Sequence, residues 1–402
     1  MRLLHTLTLP ALISAAFAAV VPRDAAAPPQ WDAIVIGGGP AGLSALSGLA
    51  RVRRNVLLID SGVYRNGPTR HMHDVLGFDG VTPAYFRWAA RQQLSHYSTV
   101  NMTNGTVTKI TPSSDSSYFT ISTTSPSNQT ETHTARKVVL ATGLRDLLPS
   151  TPGLSENWGK GIYWCPWCDG HEHADQPLGL IGSLETAPGT VREVLTLNKD
   201  IIAFVNGTDT PEARARTEDK FPQWQKYLQI HNVTVENRTI TAITRLRNGT
   251  ANDTDASLPS VAEYDQFRVE FSEGAPVERA AFLTSFDAEQ ASRIGPDAGV
   301  ALYGGRLAAD PANGLATNID GIYAIGDANS DNVTNVPHAL FSGKRTAVYL
   351  HVKLERENSV KELQAANNTA LGKRDLEHEA RALWKRVNGD PRDILYAGDF
   401  DQ

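Results

Sequence analysis

Cysteine is scarce in this sequence of 402 residues, which contains only Cys165 and Cys168 in a Cys-x-x-Cys arrangement. A framework of several disulfides is therefore excluded. Zinc needs about four ligands, and no second Cys-x-x-Cys or His-x-x-x-His cluster offers the remainder. A structural disulfide across this gap would close a very small loop and add little stability. The spacing favours a redox-active pair, with a structural disulfide and a metal site as the alternatives.

Basic charge and long apolar runs are also in short supply. The formal net charge is −6, so no basic face is predicted for nucleic acid. The one long apolar run, Leu3–Ala19, follows Arg2 and contains the cleavage signal Ala16-Phe17-Ala18, so residues 1–19 are predicted to be a signal peptide. A membrane anchor is the alternative, but His5 and Pro10 interrupt the run. No membrane partner is expected.

Residues 20–30 are rich in Ala and Pro and are predicted to be a short linker or pro-segment. Secretion is also indicated by glycosylation sequons. Ten sequons crowd into polar, loop-like stretches, which favours an N-glycosylated extracellular protein. Their asparagines are Asn101, Asn104, Asn128, Asn206, Asn232, Asn237, Asn248, Asn252, Asn332 and Asn367. An extracellular protein meets oxygen but little NADPH.

A strand, a glycine turn and a helix follow one another at residues 31–51. The strand Trp31–Ile36 leads into Gly37, which makes a tight turn, and Gly39, where the backbone can approach a pyrophosphate. Gly42 permits close packing of the helix Leu43–Arg51, whose N-terminus faces the anion. The predicted cofactor-binding residues of this turn are Gly37, Gly39, Pro40, Ala41 and Gly42.

Three further strand ends complete the dinucleotide pattern. Asn55–Ile59 ends at Asp60, at the spacing expected of an acid that binds a ribose hydroxyl. Lys137–Gly143 ends in Ala-Thr-Gly, and Gly321–Asp327 ends in Gly-Asp. These signatures resemble those of flavoproteins with two dinucleotide-binding domains. Because the Cys-x-x-Cys-Asp-Gly stretch follows Ala-Thr-Gly, the chain resembles the low-molecular-weight thioredoxin reductases.

The resemblance implies an α/β fold with two Rossmann-like domains, FAD as cofactor and a homodimer. The FAD-binding domain is discontinuous, at residues 31–152 and 294–355, and the NADPH-domain-like part with the cysteines is at 153–293. Residues 356–402 form a C-terminal extension, with trimming after Arg374 as an alternative. The implied FAD neighbours are Ser61, Arg65, Asn66, His73, Val107, Thr142, Gly143, Gly326, Asp327, His338 and Ala339, in addition to Asp60.

The same resemblance assigns catalytic roles. Cys165 corresponds to the exposed interchange thiol, Cys168 to the flavin-facing thiol and Asp169 to the acid–base residue. His171 and the nearby His173 are candidates to assist, and a surface position is the alternative for each. His338 stands at the start of a helix facing the flavin, where it would exchange a proton with flavin or thiol; helix capping is its alternative role.

The second domain departs from the family pattern. Gly182 and Ala187 keep two of its small positions, but Leu184 takes the middle one and is expected to obstruct a pyrophosphate. The strand end at 203–208 offers no arginine for a 2′-phosphate. NADPH is therefore disfavoured as the reductant, and substrate thiols are expected to supply electrons that pass to oxygen.

These observations favour a secreted FAD-dependent sulfhydryl oxidase that converts small thiols such as glutathione to disulfides. One alternative is a dithiol oxidase of the gliotoxin type, which closes a disulfide within a small metabolite. A second alternative is an NADPH-dependent thioredoxin reductase-like enzyme. A third is a flavin-bound carrier or protein-interaction module whose redox pair is vestigial.

Overall fold

The computed structural model describes residues 29–249, 261–367 and 376–388. The predicted signal peptide, most of the 20–30 linker, the sequon asparagine Asn252 and the Lys373–Arg374 pair lie outside the described residues.

The first domain is built on a seven-stranded sheet in the order β3-β2-β1-β6-β5-β4, with β19 paired to β6. Strands β1, β2, β3, β6 and β19 run parallel, and β4, β5 and β6 are antiparallel. All five residues of β2 are buried, as expected for a parallel strand covered on both faces. The strands are β1 (Trp31–Ile36), β2 (Val56–Asp60), β3 (Val100–Asn104), β4 (Thr106–Pro112), β5 (Phe119–Thr124), β6 (Thr130–Leu140) and β19 (Ile322–Ala324).

Helix α1 (Pro40–Arg51) begins directly after the glycine turn, with proline in its first turn. It packs against the long helix α8 (Val336–Asn367), and small residues permit the close approach, since a Cβ at Gly48 would lie 2.6 Å from Cβ of Ala347. Helix α2 (Pro83–Leu94) is capped by Thr82, whose hydroxyl accepts from the Tyr85 amide.

The second domain contains a five-stranded parallel sheet in the order β11-β10-β9-β15-β8. An antiparallel sheet, β12-β13-β14, packs beside it. The bounds are β8 (Ile162–Tyr163), α3 (Pro166–Asp169), β9 (Leu178–Ile181), α4 (Ala187–Val194), β10 (Ile201–Phe204), α5 (Pro211–Lys220), α6 (Trp224–Ile230), β11 (Thr234–Glu236), β12 (Ile240–Arg247), β13 (Gln266–Phe271), β14 (Val277–Arg279) and β15 (Ala281–Thr284).

Two short antiparallel strands, β7 (Leu144–Asp146) and β16 (Ala288–Gln290), carry the chain out of the first domain and back. After them come α7 (Ile294–Asp297), the hairpin of β17 (Leu302–Tyr303) and β18 (Arg306–Leu307), and a C-terminal helix, α9 (Leu376–Asn388). In α9, Trp384 packs edge-on against Phe341 of α8. Two parallel-sheet units with a split first domain confirm the predicted fold class.

Candidate functional site

A disulfide joins Cys165 and Cys168 at the end of β8, with their Cα atoms 5.2 Å apart. Pro166 starts the four-residue helix α3 at a position where a missing N–H costs nothing. The Cys165 carbonyl accepts from the amides of Cys168 and Asp169 at 3.1 and 3.3 Å. The turn therefore holds both sulfurs and the following acid in one short, fixed segment.

Aromatic side chains surround this segment. Trp164 stacks on Trp158 with ring centroids 4.9 Å apart, while Trp167, between the cysteines, is 74% exposed. The Arg65 guanidinium lies 5.6 Å from the Trp164 ring and forms ion pairs with Asp146 at 2.6 Å and with Asp327 at 2.9 Å. Arg65 thus joins the disulfide segment to the end of β19.

Asp169 is half-buried, yet protein surrounds its carboxyl group, and the lost hydration raises its pKa to about 7. Of the two neighbouring histidines, His171 is exposed and His173 is buried. His173 Nδ1 lies 2.9 Å from the Asp169 carbonyl oxygen. The structure therefore places His173, rather than His171, in contact with Asp169, through the backbone carbonyl of that residue. A pKa near neutrality suits a group that exchanges protons with thiols.

The glycine turn of the first domain has the shape required for a pyrophosphate. Gly37 has φ +110°, and a Cβ there would lie 2.3 Å from the Ala141 carbonyl oxygen. A Cβ at Gly42 would lie 1.9 Å from the Gly37 oxygen, whereas one at Gly39 would meet nothing within 4 Å. Since no side chain caps the start of α1, its free N–H groups face open space that an anion fits. Pro40 and Ala41 begin the helix at this point.

Asp60, which is buried, lies at the end of β2 beside the turn. Burial alone would raise its pKa, but hydrogen bonds from the Tyr64 hydroxyl and the Gly62 amide, together with Arg91, lower it. An open cavity of about 740 Å³ continues from Asp60 past Ser61 to Asn128. A ribose and a base fit this position at the carboxyl ends of the strands.

Three other predicted FAD neighbours, Thr142, Asp327 and His73, differ in whether their polar groups already have a partner in the protein. The hydroxyl of Thr142 is buried without a partner, which leaves a polar atom for a ligand. Asp327 has its pKa raised by burial, although Arg65 opposes that shift. His73, in contrast, is paired with Asp79 and with Glu172 of the second domain, both at 3.4 Å.

Most of the remaining predicted neighbours are backbone or core positions. Gly143 and Gly326 adopt positive φ, of 69° and 63°. Val107 is buried in the core of the first domain, and the carbonyl of Asn66 accepts from the Thr69 hydroxyl at 2.8 Å. Ala339 is buried in the first turn of α8.

His338, also in the first turn of α8, has a partner that the sequence did not reveal. Its Nε2 lies 2.6 Å from the Asp331 carboxylate, and its amide donates to the Asn335 side chain at 2.8 Å. These contacts are compatible with both predicted roles of His338, because the residue contributes to the helix start and also carries an imidazole fixed by a carboxylate.

The corresponding turn of the second domain is different. Leu184 is fully buried in the core that contains Ala187 and Val191, and its amide donates to the Thr208 hydroxyl at 3.0 Å. The expectation that the Leu184 side chain obstructs a pyrophosphate is wrong, because an apolar side chain turns into the core. Instead, Thr208 already occupies the amide that an anion would use.

A cavity of about 270 Å³ lies at the carboxyl ends of β9, β10 and β15. Among the described residues that line it there is no lysine or arginine. Arg216 and Lys220 on the nearby helix α5 are paired with Glu185 at 2.7 and 2.6 Å. The described lining of this cavity therefore offers no cation to recognise a phosphate.

Comparison with known proteins identifies the family. Residues 31–343 match the family described as pyridine nucleotide-disulphide oxidoreductase. A probable thioredoxin reductase of Arthroderma benhamiae is 46% identical over 367 residues, covering 88% of this chain and 86% of the relative. The chain therefore belongs to the pyridine nucleotide-disulphide oxidoreductases and is thioredoxin reductase-like.

Solved structures agree with this assignment. The putative thioredoxin reductase TrxB of Bacillus anthracis is 26% identical with a TM-score of 0.69, covering 82% of this chain and all of that one. The structure of HlmI is 28% identical with a TM-score of 0.67, covering 84% and 96%. The protein is an FAD-binding oxidoreductase with a redox disulfide, and the cofactor prediction is confirmed.

Proposed function

We propose that the protein is an FAD-dependent sulfhydryl oxidase, which converts two thiols and O₂ to a disulfide and H₂O₂. The contrast between the two glycine turns carries this proposal. The first turn is open and fits FAD. In the second turn Thr208 binds the amide of Leu184, and the described residues that line the adjoining cavity include no lysine or arginine. With a closed disulfide beside the first domain, thiols are the reductant that fits these features best.

The proposed chemistry begins with a substrate thiolate that attacks Cys165, forms a mixed disulfide and releases Cys168 as a thiolate. A second thiolate attacks the substrate sulfur and releases both the product disulfide and the Cys165 thiolate. Ionised Asp169 accepts the proton of an incoming thiol. FAD held in the first domain would supply the two-electron acceptor through which the Cys165–Cys168 bond re-forms and O₂ is reduced, with two protons, to H₂O₂.

His338 has a supporting role in this proposal. The Asp331 carboxylate holds Nε2, so that the ring is fixed and Nδ1 is the atom that remains to accept or donate a proton. A second candidate function, reduction of thioredoxin by NADPH, is favoured by the printed name of the Arthroderma benhamiae relative.

The proposal includes export, N-glycosylation and a homodimer. The eight sequon asparagines with described side chains are all exposed: Asn101, Asn104, Asn128, Asn206, Asn232, Asn237, Asn248 and Asn332. Within the described part of the chain, no helix is long and apolar enough to cross a membrane. Mass analysis before and after glycosidase treatment, and the native mass of the purified protein, test these features.

Oxygen uptake with reduced glutathione, in the absence of NADPH, tests the activity directly. We expect rapid uptake with H₂O₂ formed, a loss of more than about a hundredfold in Cys168→Ser and no change in Ser183→Ala, a matched control in the second-domain turn. Uptake only with a dithiol would identify the dithiol oxidase alternative. Anaerobic reduction of the flavin by NADPH, without thiol-driven uptake, would overturn the proposal in favour of a reductase.

A further inference from the structure

A buried group of charged side chains joins the two domains behind the disulfide segment. Arg70, in the loop between β2 and α2, makes a bidentate ion pair with Asp265 of the second domain at 2.8 and 3.0 Å and also contacts Glu263. The Asp265 side chain is fully buried and also accepts from Arg245 and from the Gly249 amide. We call Arg70, Arg245, Glu263, Asp265 and His173 the interdomain cluster.

The interdomain cluster reaches Asp169 through one histidine. His173 Nε2 lies 3.3 Å from Asp265, and its Nδ1 lies 2.9 Å from the Asp169 carbonyl oxygen. Its ring stacks on Tyr163 with centroids 5.5 Å apart, so it has little freedom to rotate. A continuous path of polar contacts therefore runs from Arg70 in the first domain to the backbone carbonyl of Asp169, the residue beside Cys168. The charges of Arg70 and His173 act on the Asp169 carboxyl group through space.

The protonation of His173 follows from these contacts. Burial alone would lower its pKa, but the bond to Asp265, the bond to Asp169 and the charge of Glu263 raise it. The imidazole, Glu263 and Asp265 converge like metal ligands, but two guanidiniums already supply the positive charge. Removing one member of such a buried ion-pair group leaves an uncompensated charge, so the cluster keeps a defined arrangement.

We infer that Arg70 and His173 are positioning residues for Asp169, and that docking of the first domain through Arg70 sets the pH at which Asp169 accepts a proton. The inference rests on the proposed role of Asp169 as the base for incoming thiols. It adds that this base is complete only when the two domains are in contact.

The direction of the effect follows from the charges around Asp169. Burial raises the pKa of Asp169 most, and the negative charges of Glu263 and Glu172 raise it further. The positive charges of His173 and Arg70 lower it. The phenol of Tyr163 also faces it, with a pKa raised by burial, so that it stays neutral. Removing the positive charge of Arg70 or His173 therefore makes Asp169 harder to ionise and moves its titration to higher pH.

Reduction of the Cys165–Cys168 disulfide tests the inference without relying on oxygen turnover. The FAD-loaded, full-length protein is mixed anaerobically with dithiothreitol, quenched with N-ethylmaleimide and analysed by mass at intervals between about pH 5.5 and 9. In a plot of the reduction rate against pH, we expect the rise caused by ionisation of Asp169, here called the limb, to lie about one pH unit higher in Arg70→Gln and His173→Gln than in the wild type. Such a shift makes reduction about tenfold slower than in the wild type near pH 6 and leaves the rate unchanged near pH 9.

Three variants make the result specific. Asp169→Asn should remove the rise near pH 7 and leave only the rise at higher pH that follows ionisation of the dithiothreitol thiol. Arg70→Lys, which keeps the charge without the bidentate contact, should recover most of the wild-type profile. Arg145→Gln breaks an exposed ion pair with Glu289 on the β7–β16 connection and should leave the profile unchanged.

A uniform slowing at every pH in Arg70→Gln and His173→Gln would indicate a merely structural role and overturn the inference. So would a wild-type profile without a limb near pH 7. If Arg70→Gln loses FAD on purification, His173→Gln and Arg70→Lys decide the question. A limb that shifts as expected in a protein without thiol-driven oxygen uptake would contradict the proposed oxidase and leave the inference standing.

Discussion

The two domains present the same strand–turn–helix unit in two different states. In the first domain Gly39 borders open space, and the start of α1 has free N–H groups. In the second domain Leu184 points into the core, and its amide is bound by Thr208. The fold of the unit is kept in both cases, so binding capacity depends on a few backbone donors and on nearby cations rather than on the fold.

The first and largest test of this contrast compares Gly42→Ala with Gly189→Ala. A Cβ at Gly42 would lie 1.9 Å from the Gly37 oxygen, so the turn must move. We expect at least tenfold weaker FAD binding and about 3 kcal/mol of lost stability, measured by flavin absorbance per protein and by urea unfolding. Gly189, in the second domain, has open space around an added Cβ, so its variant should keep FAD and stability.

Next in size is Leu184→Ala. Because Leu184 is fully buried, we expect a loss of about 3 kcal/mol in the free energy of unfolding and no gain of NADPH binding. Ile230→Ala, on the same domain but 64% exposed, is the matched control and should cost little. Bleaching of the flavin by NADPH in Leu184→Ala, with stability intact, would contradict the described position of this side chain.

The smallest expected effect compares two acids, Asp60 and Asp169, whose pKa values shift in opposite directions. Asp169 has a raised pKa, so the folded protein loses stability as the pH rises from about 4 to about 7 and this carboxyl group has to ionise while buried. Asp169→Asn should therefore be more stable than wild type above pH 7, by about 2 kcal/mol after allowance for partial exposure, and equal to it below about pH 4.

Asp60 is expected to change the stability with pH in the opposite direction. Its lowered pKa gives stability that is present above about pH 4 and lost as pH falls further. Asp60→Asn should therefore lose stability at neutral pH and match wild type in acid. Thermal unfolding of both variants across the pH range checks the pair, and parallel curves for the two would contradict the assigned shifts.

The parts of the site that could be predicted from the sequence are those fixed by local backbone geometry. Gly37 and Gly42 are required by the turn itself, and Cys165, Cys168 and Asp169 lie in one short segment. Local sequence therefore predicted the glycine turn and the redox cysteine pair, whereas the choice of FAD as the cofactor depended on the resemblance to flavoproteins.

What the sequence could not reveal are contacts between distant segments. Arg70 and Asp265 meet across two domains, and nothing in the residues around either one indicates the other. The Leu184 side chain was assigned to the wrong side of its turn, because a family position does not tell which way a side chain packs. The choice of His173 over His171 depends likewise on burial that only tertiary structure sets.

The split first domain has a consequence for the order in which the protein is made. Strand β19 pairs with β6 through Ile322 and Val138, so the edge of β6 stays open while the whole second domain leaves the ribosome. At about 5–20 residues per second this interval lasts on the order of ten seconds or more. The second domain, continuous in sequence, can close its sheet first. Asp327, a predicted FAD neighbour, follows β19, so the predicted FAD site would be complete only late in synthesis.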